Sequence, residues 1–345
     1  MVPPVCYLLF PVVDGSSAGT MFELVQALND DAEVLKRRTP NPIGLNAGCE
    51  LFIAFVTLFP HESESFAGLK TELVHQGRKY AAEALTFRDK IAELTLGFIK
   101  DDSVILTHSY SRVVMKALLH AHKTKRISSI YARSPASDQL MHMRHRLKTY
   151  ETLTAAGIPC TVVLDSAVAY VMDRVDFVLV GSEAVVESGG LINAVGSNQM
   201  AIIAKAASKP FYALAESYKF HRLFPLSQYD LPTHNSTILS LPTLPQRPAV
   251  PRFSGSEPAT STSAAHEAAA SASRTSTPEM KMDAEQISRN PSVDYTRRVL
   301  SFWNTQFPYL IRAGHRPDLI SLVFSDVGIL TPEGVSQYLV GMFAG

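Results

Sequence analysis

Residues 105–114 read "ILTHSYSRVV": two aliphatics lead into Thr107, His108, Ser109 and Ser111, and Val113, Val114, Ala117, Leu118 and Leu119 lead out at helical spacing. An apolar run that ends in hydroxyls and an imidazole, then changes to a period near 3.6, reads as a strand, a turn and a helix. Such a turn presents free amide groups and the positive end of the helix dipole, which suits an anion. The same character continues downstream. "RISSIYA", "PCTVVLD", "DFVLVGS", "PFYALAES" and "LISLVFSD" are short β-branched or aromatic runs, and helical patterns cover residues 111–123, 141–156, 166–174 and 197–207. Apolar strands alternating with amphipathic helices imply a mostly parallel sheet covered on both faces, a Rossmann-like α/β layer.

Upstream the pattern is helical. Met21, Phe22, Leu24, Val25 and Leu28 mark one helix, "GCELFIAFVTLF" a more apolar one, and residues 66–102 one long helix or two joined near Gly77. The expected organisation is an N-terminal helical domain over 1–102 and an α/β domain over 103–345. Within the second domain, residues 241–289 are dominated by Ser, Thr, Ala and Pro without aliphatic periodicity, which is expected of a disordered insert.

Composition narrows the function classes. The chain has 345 residues with 46% hydrophobic content, and Lys+Arg 32 balances Asp+Glu 32, so net charge implies neither nucleic acid nor a membrane surface as partner. The three cysteines, Cys6, Cys49 and Cys160, are widely separated, an expectation of reduced structural thiols in a cytosolic protein. The opening "MVPPVCYLLFPVVDG" lacks a basic segment and is broken by Pro11, so no signal peptide is expected.

The candidate site residues lie at strand ends. Ser109 or Ser111 can cap the following helix, and a catalytic reading makes Ser109 a nucleophile with His108 as base. Adjacent residues at a turn usually point apart, however, and no G-x-S-x-G elbow is present. Asp165 ends one strand and Glu183 follows "VLVG", where open parallel sheets bind ligands. "GGLINAVGS" permits close backbone approach or simple turn-making, and Ser197 can cap a helix. Lys219 and Arg222 suit a phosphate or solvated positions equally. His120 and His122 face different sides of a helix, and His142 and His145 lack a completing ligand set, so no metal and no cofactor is expected.

Together "ILTHSYSRVV", "TVVLDSAVAYVM", "VGSEAVVESGGLINAVGSNQMA", "AESYKFHRLFPLSQYDLP" and "LISLVFSDVGILTPEGVS" resemble the alpha subunits of eukaryotic translation initiation factor 2B, from about Cys49 to the C-terminus apart from the insert and a smaller one near Arg297 to Arg316. The resemblance implies a non-catalytic regulatory subunit of the guanine nucleotide exchange factor for initiation factor 2. It further implies a homodimer that joins the beta, delta, gamma and epsilon subunits and helps to sense phosphorylated initiation factor 2. The same superfamily holds sugar-phosphate aldose–ketose isomerases, which use a cysteine and an aspartate where this chain has Ser109 and Glu183. Serine lacks a thiol's acidity and Glu displaces the carboxylate, so the resemblance implies lost isomerase chemistry. Ala194 follows Asn193 where relatives carry Lys, and "ARSPA" at 132–136 lacks a Glu and displaces the Arg to Arg133. Lys219 matches. Thr107, Ser109, Ser111, Glu183, Asn193 and Lys219 are therefore expected to line an inherited cradle for a phosphosugar or nucleoside monophosphate, without turnover.

Overall fold

The computed structural model describes residues 13, 15–39, 42–59, 65–133, 147–231, 293–296 and 319–343. Three helices come first: α1 (Met21–Arg37), α2 (Ile43–Thr57) and α3 (Phe66–Glu83). Thr20 starts α1 by accepting from the Glu23 amide at 3.3 Å, while the Glu23 carboxylate accepts from Gly19 at 2.8 Å. Leu24, Leu28 and Ala32, spaced by four, bury one stripe of α1 against Cys49, Phe52 and Val56 of α2 and Leu69 and Leu73 of α3. Each fully buried Leu contributes about 1.5–3 kcal/mol.

Residues 66–102 form two helices, but not joined at Gly77. Gly77 is buried inside α3, on the face that carries Leu73 and Ala81, so its small size serves packing. The break falls at 84–86, where the Thr86 hydroxyl donates to the Glu83 carbonyl at 2.8 Å and α4 (Phe87–Leu96) begins. Ile91 and Ala92 of α4 pack under the sheet, beside Val113, Val114 and Leu118, rather than into the core of α1, α2 and α3.

The α/β elements follow in order: β1 (Ser103–His108), α5 (Arg112–His122), β2 (Ile127–Arg133), α6 (Lys148–Ala155), β3 (Cys160–Leu164), α7 (Val168–Val171), β4 (Phe177–Val180), β5 (Ala184–Val186), β6 (Leu191–Ala194), α8 (Ser197–Ala206), β7 (Phe211–Leu214), β8 (Phe220–His221), β9 (Val293–Thr296), β10 (Leu322–Ser325), β11 (Gly328–Leu330) and α9 (Pro332–Phe343). The seven-stranded sheet has the order β11-β10-β7-β4-β1-β2-β3. The six apolar runs picked out in the sequence are β1, β2, β3, β4, β7 and β10, all paired in parallel, and β11 adds an antiparallel edge.

Period-two alternation builds a core on each face. Leu106, Val178 and Val180 face Met200, Ala201, Val335 and Leu339, whereas Ile105, Phe177 and Leu179 face α4 and α5. β2 and β3 lie on one side of β1, and β4, β7 and β10 lie on the other. The order therefore reverses between β1 and β4, which creates the crevice where open α/β sheets take ligands.

A second sheet, β8-β5-β6-β9, was not anticipated from the sequence. Part of "GGLINAVGS" is strand β6, and the Gly pair makes the β5–β6 turn: Gly189 sits at φ 78°, and its amide donates to the Val186 carbonyl at 2.8 Å. Gly190 lies where an added Cβ would come 2.4 Å from the Tyr295 ring. The Ser/Thr/Ala/Pro-rich insert at 241–289, Cys6, His142, His145 and the start of the 141–156 helical pattern lie outside the described residues. Burial pushes the thiols of Cys49 and Cys160 up to about 11, so both stay protonated at neutral pH. Among the described residues no helix is long and apolar enough to cross a membrane.

Candidate functional site

The site is built where β1 and β4 end. Thr107, next to last in β1, is buried and its hydroxyl has no partner among the described residues. His108 is buried with Nδ1 at 3.2 Å from the Ala132 carbonyl and Nε2 at 2.9 Å from the Val195 carbonyl. Burial holds its pKa down against the pull of both carbonyls, so a neutral ring donates to one of them. Both ring nitrogens face backbone carbonyls rather than the Ser109 hydroxyl, and His108 is not placed to act as base for Ser109.

Ser109 turns the chain in the left-handed region, φ 57°, a conformation that costs a non-glycine residue about 1–3 kcal/mol. Its carbonyl is held by the Thr149 hydroxyl at 3.0 Å. Ser111 occupies the cap position of α5, but its side chain makes no capping bond. Instead its hydroxyl packs on Gly181, where a Cβ would lie 2.1 Å away, so the loop after β4 passes against α5 only because Gly181 has no side chain.

Glu183 is exposed and follows that loop, with its amide donating to the Ile192 carbonyl at 2.9 Å. It lies over the start of α2: a Cβ on Gly44 would sit 3.3 Å from the Glu183 carbonyl and 3.9 Å from its carboxylate. The helical segment thus closes one side of the crevice. Lys219 reaches the same loop, donating to the Ser182 carbonyl at 2.7 Å. It is not a free cation, since its ammonium is 3.0 Å from the buried Glu216 carboxylate. Ser111, Glu183 and Lys219 therefore meet around residues 181–183. Asn193 stands next to Ile192 in β6 and donates to Ser197 at 2.9 Å, on the turn that carries Val195 to His108.

The sequence reading missed three polar groups. Glu216 binds Arg88 of α4 at 2.8 Å, the Tyr218 hydroxyl at 3.0 Å and Lys219. A cluster of Asn46, Glu50 and His221 ties α2 to β8, with Asn46 Nδ2 at 2.6 Å from the His221 ring and Glu50 at 3.3 Å. Asp294 in β9 accepts from the amides of Gly196 at 2.8 Å and Asn198 at 3.0 Å. Gly196, not Ser197, holds the cap position of α8, and Ser197 donates backward to Ala194. The anion position at the start of α8 is filled by the chain's own carboxylate.

Burial pushes the Asp294 carboxyl up to about 6, against the two amide bonds that pull it down. Between an unfolded value near 3.8 and the folded value near 6, the native state holds the extra proton. The contribution of Asp294 is thus fullest below that window and is lost as pH rises through it. Asp294→Asn stays neutral and keeps an oxygen toward the amides. Urea midpoints of the variant should fall less between pH 4 and 6 than those of the wild type, and parallel profiles would show that Asp294 titrates normally.

The Initiation factor 2 subunit family matches residues 5–238. The chain is 33% identical to translation initiation factor eIF2B subunit alpha of Dictyostelium discoideum, over 99% of this chain and 90% of that protein. A ribose 1,5-bisphosphate isomerase of Archaeoglobus fulgidus is 30% identical over 55% of this chain and 57% of the isomerase. In fold, the crystal structure of the tetrameric eIF2B beta2-delta2 complex from C. thermophilum superposes with a TM-score of 0.64 at 18% identity, covering 99% of this chain and 86% of that one. With a family match over more than half of its residues and a relative alike along nearly its whole length, the chain belongs to the Initiation factor 2 subunit family.

Proposed function

We propose that this chain works as the regulatory, non-catalytic alpha subunit of the guanine nucleotide exchange factor for translation initiation factor 2. The observation that carries the reading is likeness to an eIF2B alpha subunit across 99% of the chain, against little more than half for the isomerase. The strand-end chemistry points the same way. A serine hydroxyl at 109 and the exposed Glu183 are poorly matched to proton transfer on a sugar, and Lys219 is already paired with Glu216.

In this reading the protein acts in the cytoplasm as a homodimer. It joins the beta, delta, gamma and epsilon subunits and contributes to sensing phosphorylated initiation factor 2. The helical domain over 1–102 faces that substrate, and the α/β domain over 103–345 supports assembly. A pull-down of the tagged chain from cell extract should bring down the other four subunits together. Recovery of none of them would overturn the assignment.

A second role within the same reading is favoured by two buried hydroxyls, Thr107 Oγ1 and Ser182 Oγ, that lack partners among the described residues at the ends of neighbouring strands. Unpaired buried hydroxyls favour a polar occupant. Thr107, Ser109, Ser111, Glu183, Asn193 and Lys219 would hold a phosphosugar or nucleoside monophosphate without turning it over. Ribose 1,5-bisphosphate should show no isomerisation by this protein in a product assay. Turnover that disappears in Ser109→Ala would place the chain with the isomerases instead.

A further inference from the structure

A cavity of about 260 Å³ lies between α2, α3, α4, α9 and the turn after β10, and none of the six strand-end residues lines it. Its walls are aromatic. Phe55 comes from α2, Tyr80 from α3, Phe87 from α4 and Tyr338 from α9, with the Tyr80 and Phe87 rings edge-to-face at 5.9 Å. Asp326 is the one charged side chain on the lining. Its carboxylate accepts from the Ser217 amide at 2.7 Å, the Ser217 hydroxyl at 2.8 Å and the Ser325 hydroxyl at 3.3 Å. All three donors are neutral, and among the described residues no cation pairs with it. Burial and the Asp326 charge both push the Tyr338 phenol up, so that ring stays neutral.

A carboxylate with no counter-ion among the described residues, at the edge of a space walled by aromatic rings, favours a cation, because the ring faces and the carboxylate attract positive charge together. The volume suits a ligand of roughly ten heavy atoms rather than a drug-sized one. We propose that this cavity binds a small aromatic amine as its cation, with the ring among Phe55, Tyr80 and Tyr338 and the ammonium toward Asp326. The site is separate from the strand-end crevice and does not depend on the role assigned to the chain.

The probes are 2-phenylethylamine and its neutral counterpart 2-phenylethanol, titrated calorimetrically into the full chain. The amine should bind at least tenfold more tightly than the alcohol. Asp326→Asn should erase that preference while leaving alcohol binding in place. Met342→Trp, which fills the cavity from the partly exposed side of α9, should weaken both by tenfold or more. No heat from either probe up to about 10 mM, a range that still reports affinities of about 3 kcal/mol, overturns the proposal. So does equal binding of amine and alcohol, or amine binding that neither substitution changes.

Discussion

Glu216→Gln should lower the free energy of unfolding by about 3 kcal/mol, toward the lower end of the range for breaking a buried ion pair. Glu216 is 1% exposed, and its two oxygens serve Arg88 at 2.8 Å and Lys219 at 3.0 Å. The amide keeps the shape but leaves two cations, each about a quarter exposed or less, without a counter-charge. Burial alone would raise the Glu216 pKa, but the Lys219 charge and the bonds from Arg88 and Lys219 override it and hold the carboxyl at about 2. The sign follows from that depression. Glu216 contributes fully above its unfolded value near 4.5, and the contribution is lost as pH falls through about 2. Urea unfolding at pH 7 and at pH 3 should therefore show a smaller gap between wild type and Glu216→Gln in acid. A surface comparison is available in Arg126, paired with Asp101 and Asp102 but 78% exposed. Arg126→Ala should leave the urea midpoint nearly unchanged, because solvent screens that pair. Equal losses at the two positions would show that Glu216 is better solvated than its burial indicates.

The Glu216 network also marks the limit of what the sequence disclosed. β1, β2, β4, β7 and β10 were legible because strands covered on both faces read as continuous apolar runs. The helices were legible from their period. The second sheet was not, since β5 and β8 have three and two residues, too few to show any alternation. Its fourth strand, β9, brings Asp294 to Gly196 across 98 positions, and that span includes the insert. No local spacing carries such a pairing.

At the site, residue types at strand ends were readable, but their electrostatic state was not. Lys219 reads as a phosphate ligand until Glu216, three positions earlier at the tail of a strand, is seen to pair with it. Ser111 reads as a helix cap until Gly181 is seen beneath it. Gly181 reaches Ser111 through the tertiary fold, as Arg88 reaches Glu216 from α4, whereas the Glu216–Lys219 pair is local and only its burial is set by the fold.

The second large effect is expected at Gly189, where Gly189→Ala should destabilise the protein by about 3 kcal/mol or more, combining left-handed strain with overpacking. Gly189 sits at φ 78°, and an added Cβ would lie 2.2 Å from the Pro332 carbonyl oxygen and 2.6 Å from its carbon. Backbone cannot swing aside as a side chain does, so either the β5–β6 turn or the start of α9 must move. The α9 helix is anchored there by Thr331, whose hydroxyl accepts from the Gly334 amide at 3.2 Å, and by Val335 and Leu339, which are buried against the sheet. Moving its first turn loosens that packing. Gly341 provides the contrast within the same helix, since nothing lies within 4 Å of an added Cβ. Gly341→Ala should gain about 0.5–1 kcal/mol by removing backbone freedom from the unfolded chain. Urea midpoints for the two variants should thus move in opposite directions. A Gly189→Ala unfolding free energy within about 0.5 kcal/mol of the wild type, the ordinary range of a surface change, would mean that the turn and α9 do not approach as closely as Pro332 requires.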